Sequence, residues 1–303
     1  MSKEYCLVGL GKHSINQIIP SILNTDGIIN STVSSKDGYK DINNFKKLSD
    51  AVARLDNEKI TFYLATPYTI HFRQVKEIIS KGFDLFIEKP AFINSEELKE
   101  ISLIASNKKF YAECFMYRYT RMYREFIKIW NNELSNLVSL DLNFTIPSFP
   151  ENTFRSNINT NSVILNDMGC YAISLLVDLE IENLKFSNRN LRIYDDKRNV
   201  IEMLLFNEKL PIKIRIGLEN EYKNFVLLKT NNTSYVFDMF FNGRKIKKNI
   251  FTKKNEIYNS FIDNNGFEKM LSLPKTYWIE SQKTRLEKMI KVCDIMRDIE
   301  KVI

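Results

Sequence analysis

The chain has 303 residues, 44% of them hydrophobic and 27% charged, with a net charge of +7, a balance that describes a globular protein long enough for two domains with separate cores. It contains no run of about eighteen apolar residues, and the opening MSKEYCLVGLG lacks the parts of a signal peptide, so a cytoplasmic protein without membrane association is expected. Cys6, Cys114, Cys170 and Cys293 are far apart and His13 and His71 are the only histidines, which offers no metal constellation and leaves the cysteines as reduced, buried thiols. Much of the positive excess lies in GRKIKKNIFTKKNE, residues 243–256. Lysines alternate there with apolar residues as on a half-exposed edge strand, a pattern that favours edge protection over a nucleic-acid surface.

Tyr5 to Gly9 is a short apolar run, and GLGKHS follows at once, with Ile15, Ile18, Ile19 and Ile22 at helical spacing behind it. Strand, glycine turn and helix in that order suit the start of a dinucleotide-binding unit, where Gly9 and Gly11 let the backbone approach a pyrophosphate. Ser14 stands where the third glycine of GxGxxG would be, and the two remaining glycines also fit a plain turn. The next strand, Ile28 to Val33, ends in Ser34-Ser35-Lys36. An acid at about this place would accept the ribose hydroxyls of NAD; hydroxyls and a lysine instead favour NADP(H), with Asp37 close by as the opposing feature.

Ile60 to Ala65 reads as a further strand ended by Thr66-Pro67, and a helix over about Thr69 to Lys81 stops at Gly82. The strand Asp84 to Pro90 (DLFIEKP) then delivers Glu88 and Lys89 to its carboxyl end, where open parallel sheets bind ligands. Asn94 or Ser95 caps another helix with Glu97 placed for a capping box, and Phe110 to Cys114 is the next strand. Alternation of strands and helices over the first 115 or so residues implies a doubly wound parallel sheet.

After a helix from about Arg121 to Asn131 the pattern changes. Ile212, Ile214, Ile216 and Leu218 alternate with polar residues, and Asn242-Gly243 signals a type I′ hairpin between Val236 to Phe241 and Lys245 to Ile250. The second half is therefore expected to be α+β with a large, mainly antiparallel open sheet, closed by an amphipathic helix beginning after Pro274. Before the sheet, Asp167 and Tyr171 are four apart and share a helical face with Ser174 and Asp178. An acid and a phenol so stacked can orient a hydroxyl or carbonyl, although a helical tyrosine also serves the core. Gly169 inside this pattern marks a helix start or a close approach to the backbone.

Together the degenerate GxGxxG at Gly9 to Ser14, Ala65-Thr66-Pro67, Glu88-Lys89-Pro90, ECFMYRYT from Glu113 to Thr120 and DMGCY from Asp167 to Tyr171 resemble the glucose-fructose oxidoreductase, inositol dehydrogenase and rhizopine-catabolism (Gfo/Idh/MocA) family. They occur in that family's order and spacing, and are most similar to the branch with glucose-fructose oxidoreductase, dihydrodiol dehydrogenase and nucleotide-sugar ketoreductases. The resemblance implies a Rossmann domain over 1–118 and a substrate-binding and oligomerisation domain over 119–303, with the last helix packing back on the first. It implies Lys89 and Tyr171 as the proton-handling pair and Asp167, Arg118 and Arg155 beside the substrate. Its cofactor set is Gly9, Gly11, Lys12, His13, Ser34, Ser35, Lys36, Thr66, Pro67, His71, Glu88 and Lys89. Two departures stand out: Ser14, and Asn159-Thr160-Asn161-Ser162 in place of a glycine-rich run.

The activity so implied is hydride transfer between a nicotinamide and a carbonyl or hydroxyl of a sugar or nucleotide-linked keto-sugar, by a homodimer or homotetramer in carbohydrate metabolism. A polyol or dihydrodiol dehydrogenase is the alternative enzyme. A chain of the same fold that binds NADP(H) without reacting, as a regulator or assembly partner, is the alternative of another class.

Overall fold

The computed structural model describes residues 2–148, 163–181, 184, 191–194, 200–207 and 210–302. The chain forms two compact units, one made of Met1–Phe115 with Phe267–Cys293, the other of Met116–Gly266 with Asp294–Ile303.

In the first unit, β1 (Glu4–Val8), β2 (Ile28–Val33), β3 (Asn43–Phe45), β4 (Ile60–Leu64), β5 (Asp84–Glu88) and β6 (Tyr111–Cys114) form one sheet in the order β3-β2-β1-β4-β5-β6. Every pairing is parallel. This is the doubly wound order whose direction reverses between β1 and β4, and ligands of such sheets bind at the carboxyl ends beside that reversal. The strands read as unbroken apolar runs because both faces are covered: Leu85, Phe86 and Ile87 of β5 are all buried. The helices are α1 (Ile19–Leu23), continuing a π-helical turn over Ser14–Ile18, then α2 (Leu48–Arg54), α3 (His71–Ser80) and α4 (Ser95–Ile104). Asn94 caps α4 by accepting the Glu96 N–H at 2.9 Å. The short β3 and α2 were not expected, since Leu48, Ala51 and Val52 make an apolar stripe of less than two turns.

The second unit opens with α5 (Arg121–Glu133) and β7 (Leu137–Ile146), followed by a π-helical turn, Leu165–Gly169, leading into α6 (Cys170–Asp178). Then come β8 (Leu191–Tyr194), β9 (Val200–Asn207), β10 (Leu210–Leu218), β11 (Lys223–Thr230), β12 (Ser234–Asp238), β13 (Lys247–Phe251) and β14 (Ile257–Ile262). The resulting 8-stranded sheet runs β14-β13-β12-β11-β7-β10-β9-β8. It is antiparallel except for β7 beside β10. Ile212, Ile214 and Ile216 face its covered side, while Lys213 and Arg215 on the other face pair with Glu202 across the β9–β10 register. Gly169 is not a helix start, because helical backbone already runs from 163 through it, but the close approach is present: a Cβ there would lie 3.1 Å from Ile216 Cδ1.

Two expectations are corrected here. Asn242-Gly243 is not a two-residue hairpin turn, because β12 ends at Asp238 and β13 begins at Lys247. Gly243 is small for a different reason: a Cβ on it would fall 2.0 Å from Met116 Cγ. Nor are the lysines of 243–256 all solvated at an edge. β14 forms the edge, and Lys248 of β13 points inward at 0% exposure, 3.4 Å from Asp263 Oδ2. The same carboxylate accepts the Arg121 and Met122 N–H groups at 2.8 and 2.9 Å, which caps α5.

The C-terminal segment comprises α7 (Gly266–Ser272), α8 (Lys275–Glu280) and α9 (Gln282–Glu300), so the single helix expected after Pro274 is broken at Ser281. Within the first unit, Trp278 sits edge-on to Phe86, and Lys275 pairs with Asp84 at 2.6 Å. No helix among the described residues is long and apolar enough to cross a membrane. No disulfide joins the four cysteines, all of them buried.

Burial pushes the Lys248 ammonium down to about 8, against the opposing pull of Asp263. Asp263→Ala should cost about 3–5 kcal/mol in chemical denaturation, since it uncaps α5 and leaves a buried charge unpaired. Native Lys248 gives up its proton near 8, whereas the unfolded chain holds it to about 10.4. Wild type therefore carries the buried charge at pH 7 and sheds it by pH 10, so wild type should gain stability relative to Lys248→Met over that interval. A gap independent of pH would show that Lys248 has the same pKa in the native and unfolded states.

Candidate active site

One group of candidate residues lies on the carboxyl edge of the parallel sheet in the first unit. Gly9 ends β1 with φ +95, and a Cβ there would stand 2.9 Å from the Ala65 carbonyl oxygen, so the turn after β1 and the turn after β4 touch backbone to backbone. A Cβ on Gly11, in contrast, would meet nothing within 4 Å. The turn is open on that side and closed on the other, which is the cradle a pyrophosphate needs. Ser14 is compatible with it: the hydroxyl donates to the Gly9 carbonyl at 2.7 Å and stays buried inside the turn. Lys12 and His13 are exposed on the same turn.

At the end of β2, Ser34 Oγ accepts the Lys36 N–H at 3.2 Å, and Asn44 and Lys46 donate to the Lys36 carbonyl at 3.4 and 2.8 Å. Ser35 and Lys36 are exposed. Lys46 is a cation beside this turn that sequence reading missed. It lies just past the unexpected β3, and nothing local announces that its side chain crosses to residue 36.

Thr66 and Pro67 follow β4, with the Thr66 hydroxyl donating to Gln74 at 2.6 Å. His71 is buried, and its two ring nitrogens face backbone oxygens, Nε2 that of Thr66 at 2.8 Å and Nδ1 those of Pro90 and Ala91 at 3.1 and 3.2 Å. Burial draws the imidazole below its ordinary pKa, with the three carbonyls recovering part of the shift. His71 thus clamps the turn after β4 to the turn after β5.

Glu88 and Lys89 complete this sheet edge, with a cis peptide between Lys89 and Pro90. Glu88 is 8% exposed, and its Oε1 accepts the Tyr63 hydroxyl at 2.7 Å and lies 3.3 Å from His13 Nε2. Burial disfavours its charge, but His13, the Tyr63 hydroxyl and the Lys89 charge together outweigh that and hold the carboxyl below the usual range. Tyr63 is a second partner the sequence did not reveal, because it sits inside an apolar strand and reads as core.

The second unit supplies the other expected residues. Tyr171 is 4% exposed, with its ring among Phe144, Phe241 and Tyr117 at centroid distances of 5.4, 5.7 and 6.0 Å. Its hydroxyl donates to Met116 Sδ at 3.6 Å. Met116 is seated between two glycines, since a Cβ on Gly266 would lie 2.2 Å from its carbonyl oxygen. Asp167 is half-buried one turn before Tyr171. Arg118, expected beside the substrate, is committed to the far end of that helix: Nε donates to Asp178 at 2.7 Å and Nη2 to the Ser174 carbonyl at 3.4 Å. Tyr117 shares this network at 2.9 Å from Ser174 Oγ. Arg155 and the stretch 159–162 lie outside the described residues. Among the described residues no cluster of three or more metal-ligating side chains occurs.

The chain matches no protein-family model and no curated protein sequence. Solved structures do match it over nearly its whole length. A 3-ketoreductase from Actinomadura kijaniata, in complex with NADP and TDP-benzene, aligns with a TM-score of 0.80 and 14% identity over 98% of this chain and 96% of that one. A dehydrogenase from Chromobacterium violaceum gives 0.75 and 15% over 98% and 94%, and one from Clostridium difficile 0.74 and 15% over 100% of both. The chain therefore has, from end to end, the fold of these oxidoreductases: a parallel dinucleotide-type sheet followed by a large, mainly antiparallel one.

Proposed function

We propose that the protein is a Gfo/Idh/MocA-type NAD(P)-dependent oxidoreductase acting on a sugar or nucleotide-linked keto-sugar. The observation that carries this reading is the carboxyl edge of the parallel sheet, where a turn closed at Gly9 and open above Gly11 shares one edge with Glu88 and Lys89. The NADP and TDP-benzene bound by the Actinomadura ketoreductase support the choice of cofactor and of a nucleotide-linked substrate. Ser34, Ser35 and Lys36, with Lys46 behind them, supply hydroxyls and positive charge suited to a 2′-phosphate, which favours NADP(H).

The chemistry supplied by a bound nicotinamide is hydride transfer. The chain's own residues have to bind, orient and move one proton. In this reading Tyr171 exchanges that proton with the substrate oxygen and Lys89 favours the phenolate, because a free phenol, with a pKa near 10, is a poor base at neutral pH. Asp167 orients the substrate. Arg118 acts at one remove, by fixing α6 through Asp178. Exposed Leu204 and Phe206 on the open face of the eight-stranded sheet are the surface on which two copies would associate.

Gly11→Ala should leave the melting temperature unchanged and weaken NADPH binding, whereas Gly9→Ala should lower both, because only Gly9 is hemmed in by backbone. Normal NADPH affinity in Gly11→Ala would remove the pyrophosphate from this turn. Oxidation of NADPH followed at 340 nm with a panel of nucleotide-linked keto-sugars tests the activity. On the substrate so found, Lys89→Met and Tyr171→Phe should each reduce turnover at least about a hundredfold with cofactor affinity within about tenfold. Cofactor binding without turnover of any keto-sugar would favour the non-reacting alternative. Light scattering should report a dimer or tetramer, and Phe206→Glu should shift it toward monomer.

A further inference from the structure

Tyr63, Glu88 and His13 form a chain of contacts that ties the glycine turn to β4 and β5, and its outer member is built differently from its inner two. Tyr63 and Glu88 are buried, whereas the His13 side chain is 45% exposed. A carboxylate only accepts, so the His13 nitrogen facing Glu88 Oε1, Nε2, carries a hydrogen. The opposite nitrogen, Nδ1, has no hydrogen-bond partner among the described residues. Phe267 packs against the ring at a centroid distance of 5.6 Å and restricts its rotation.

This arrangement gives the two nitrogens different roles. With Nε2 committed to Glu88, a neutral ring presents a lone pair at Nδ1, and a protonated ring presents an N–H. His13 lies between Gly11, whose missing side chain leaves open space, and Ser14, whose hydroxyl is folded back onto Gly9. A phosphate oxygen arriving at this turn is an acceptor, compatible with the N–H and repelled by the lone pair.

We propose that His13 is a proton-coupled anion contact, so that binding of a dinucleotide pyrophosphate at the glycine turn is accompanied by uptake of one proton from solvent at Nδ1, with Glu88 holding the ring in place. No bond to the dinucleotide is made or broken. The proposal rests on the reading of the turn as a cofactor site, and it gives Glu88 a function there. Glu88 keeps the imidazole at the turn and offsets the charge gained on the ring.

The other titratable groups facing the pair do not reproduce this behaviour. Burial pushes the Tyr63 phenol and the Cys114 thiol well above their ordinary ranges, and Glu88 is held below its own, so these keep one charge state through neutral pH. The buried His71 is drawn below its ordinary value and is bonded to carbonyls rather than open to a ligand. Lys89 adds a neighbouring positive charge, and Lys12 is exposed beside the turn.

The test is calorimetric titration of the protein with NADH, which lacks the 2′-phosphate, in buffers of different ionisation enthalpy between pH 6 and 9. NADPH is titrated alongside above about pH 7, where a phosphomonoester with pKa near 6 is already ionised. Uptake approaching one proton is expected, with affinity falling by up to about tenfold per pH unit as pH rises. In His13→Gln, a substitution at an exposed side chain, both the uptake and the pH dependence should vanish while the melting temperature is kept. Glu88→Gln should reduce the uptake. Binding without proton uptake, uptake unchanged in His13→Gln, or affinity that rises with pH would each overturn the proposal while leaving the cofactor site standing. Failure to bind either dinucleotide would overturn both.

Discussion

A carboxylate buried at the end of a central strand is expensive unless it is met by donors and positive charge, and Glu88 is met from three directions. Tyr63 reaches it from the neighbouring strand, His13 from the glycine turn, and Lys89 stands next in the chain. That requirement fixes the geometry of the sheet edge. The turn after β1 cannot drift from the end of β5 without leaving Glu88 short of a partner. His71 does the same for the adjacent pair of turns with backbone carbonyls in place of a carboxylate. Lys89 therefore stands on a strand end whose framework is held on both sides.

The second unit uses the same device twice. Asp263 gathers Lys248 and the first two amides of α5, and Asp178 gathers Arg118 and Tyr117 at the end of α6. Asp263 pins the start of α5 from far along the chain, and Asp178, the last residue of α6, ties the end of the helix that carries Tyr171 to Arg118 and Tyr117. The Tyr171 ring is thus gripped by packing while its hydroxyl rests on the weak acceptor Met116 Sδ. Gly243 and Gly266 are what make room for that methionine.

Most of the alternating strands and helices of the first unit were legible, because strand runs, helical stripes and glycine or proline stops are written in consecutive residues. Gly9, Gly11 and Lys89 fell at strand ends as expected. What failed was whatever depended on a distant partner. Lys248 read as a solvated edge lysine because its neighbours alternate, yet Asp263 lets it face inward. Gly243 read as a turn glycine, when its smallness answers to Met116, far away in the chain.

The sequence by itself determined which residues face a core, where strands stop, and which chemically able side chains stand at those stops, since periodicity and punctuation are local properties of the backbone. Only the tertiary structure decided the strand order β3-β2-β1-β4-β5-β6, the inward turn of Lys248, and the meeting of Tyr63 and His13 on Glu88. The alternation of side chains is set by their own strand, whereas which side is covered and which partner is met are set by how strands are ordered in space. The charge on Glu88 is supported by that ordering and by nothing in the residues beside it except Lys89.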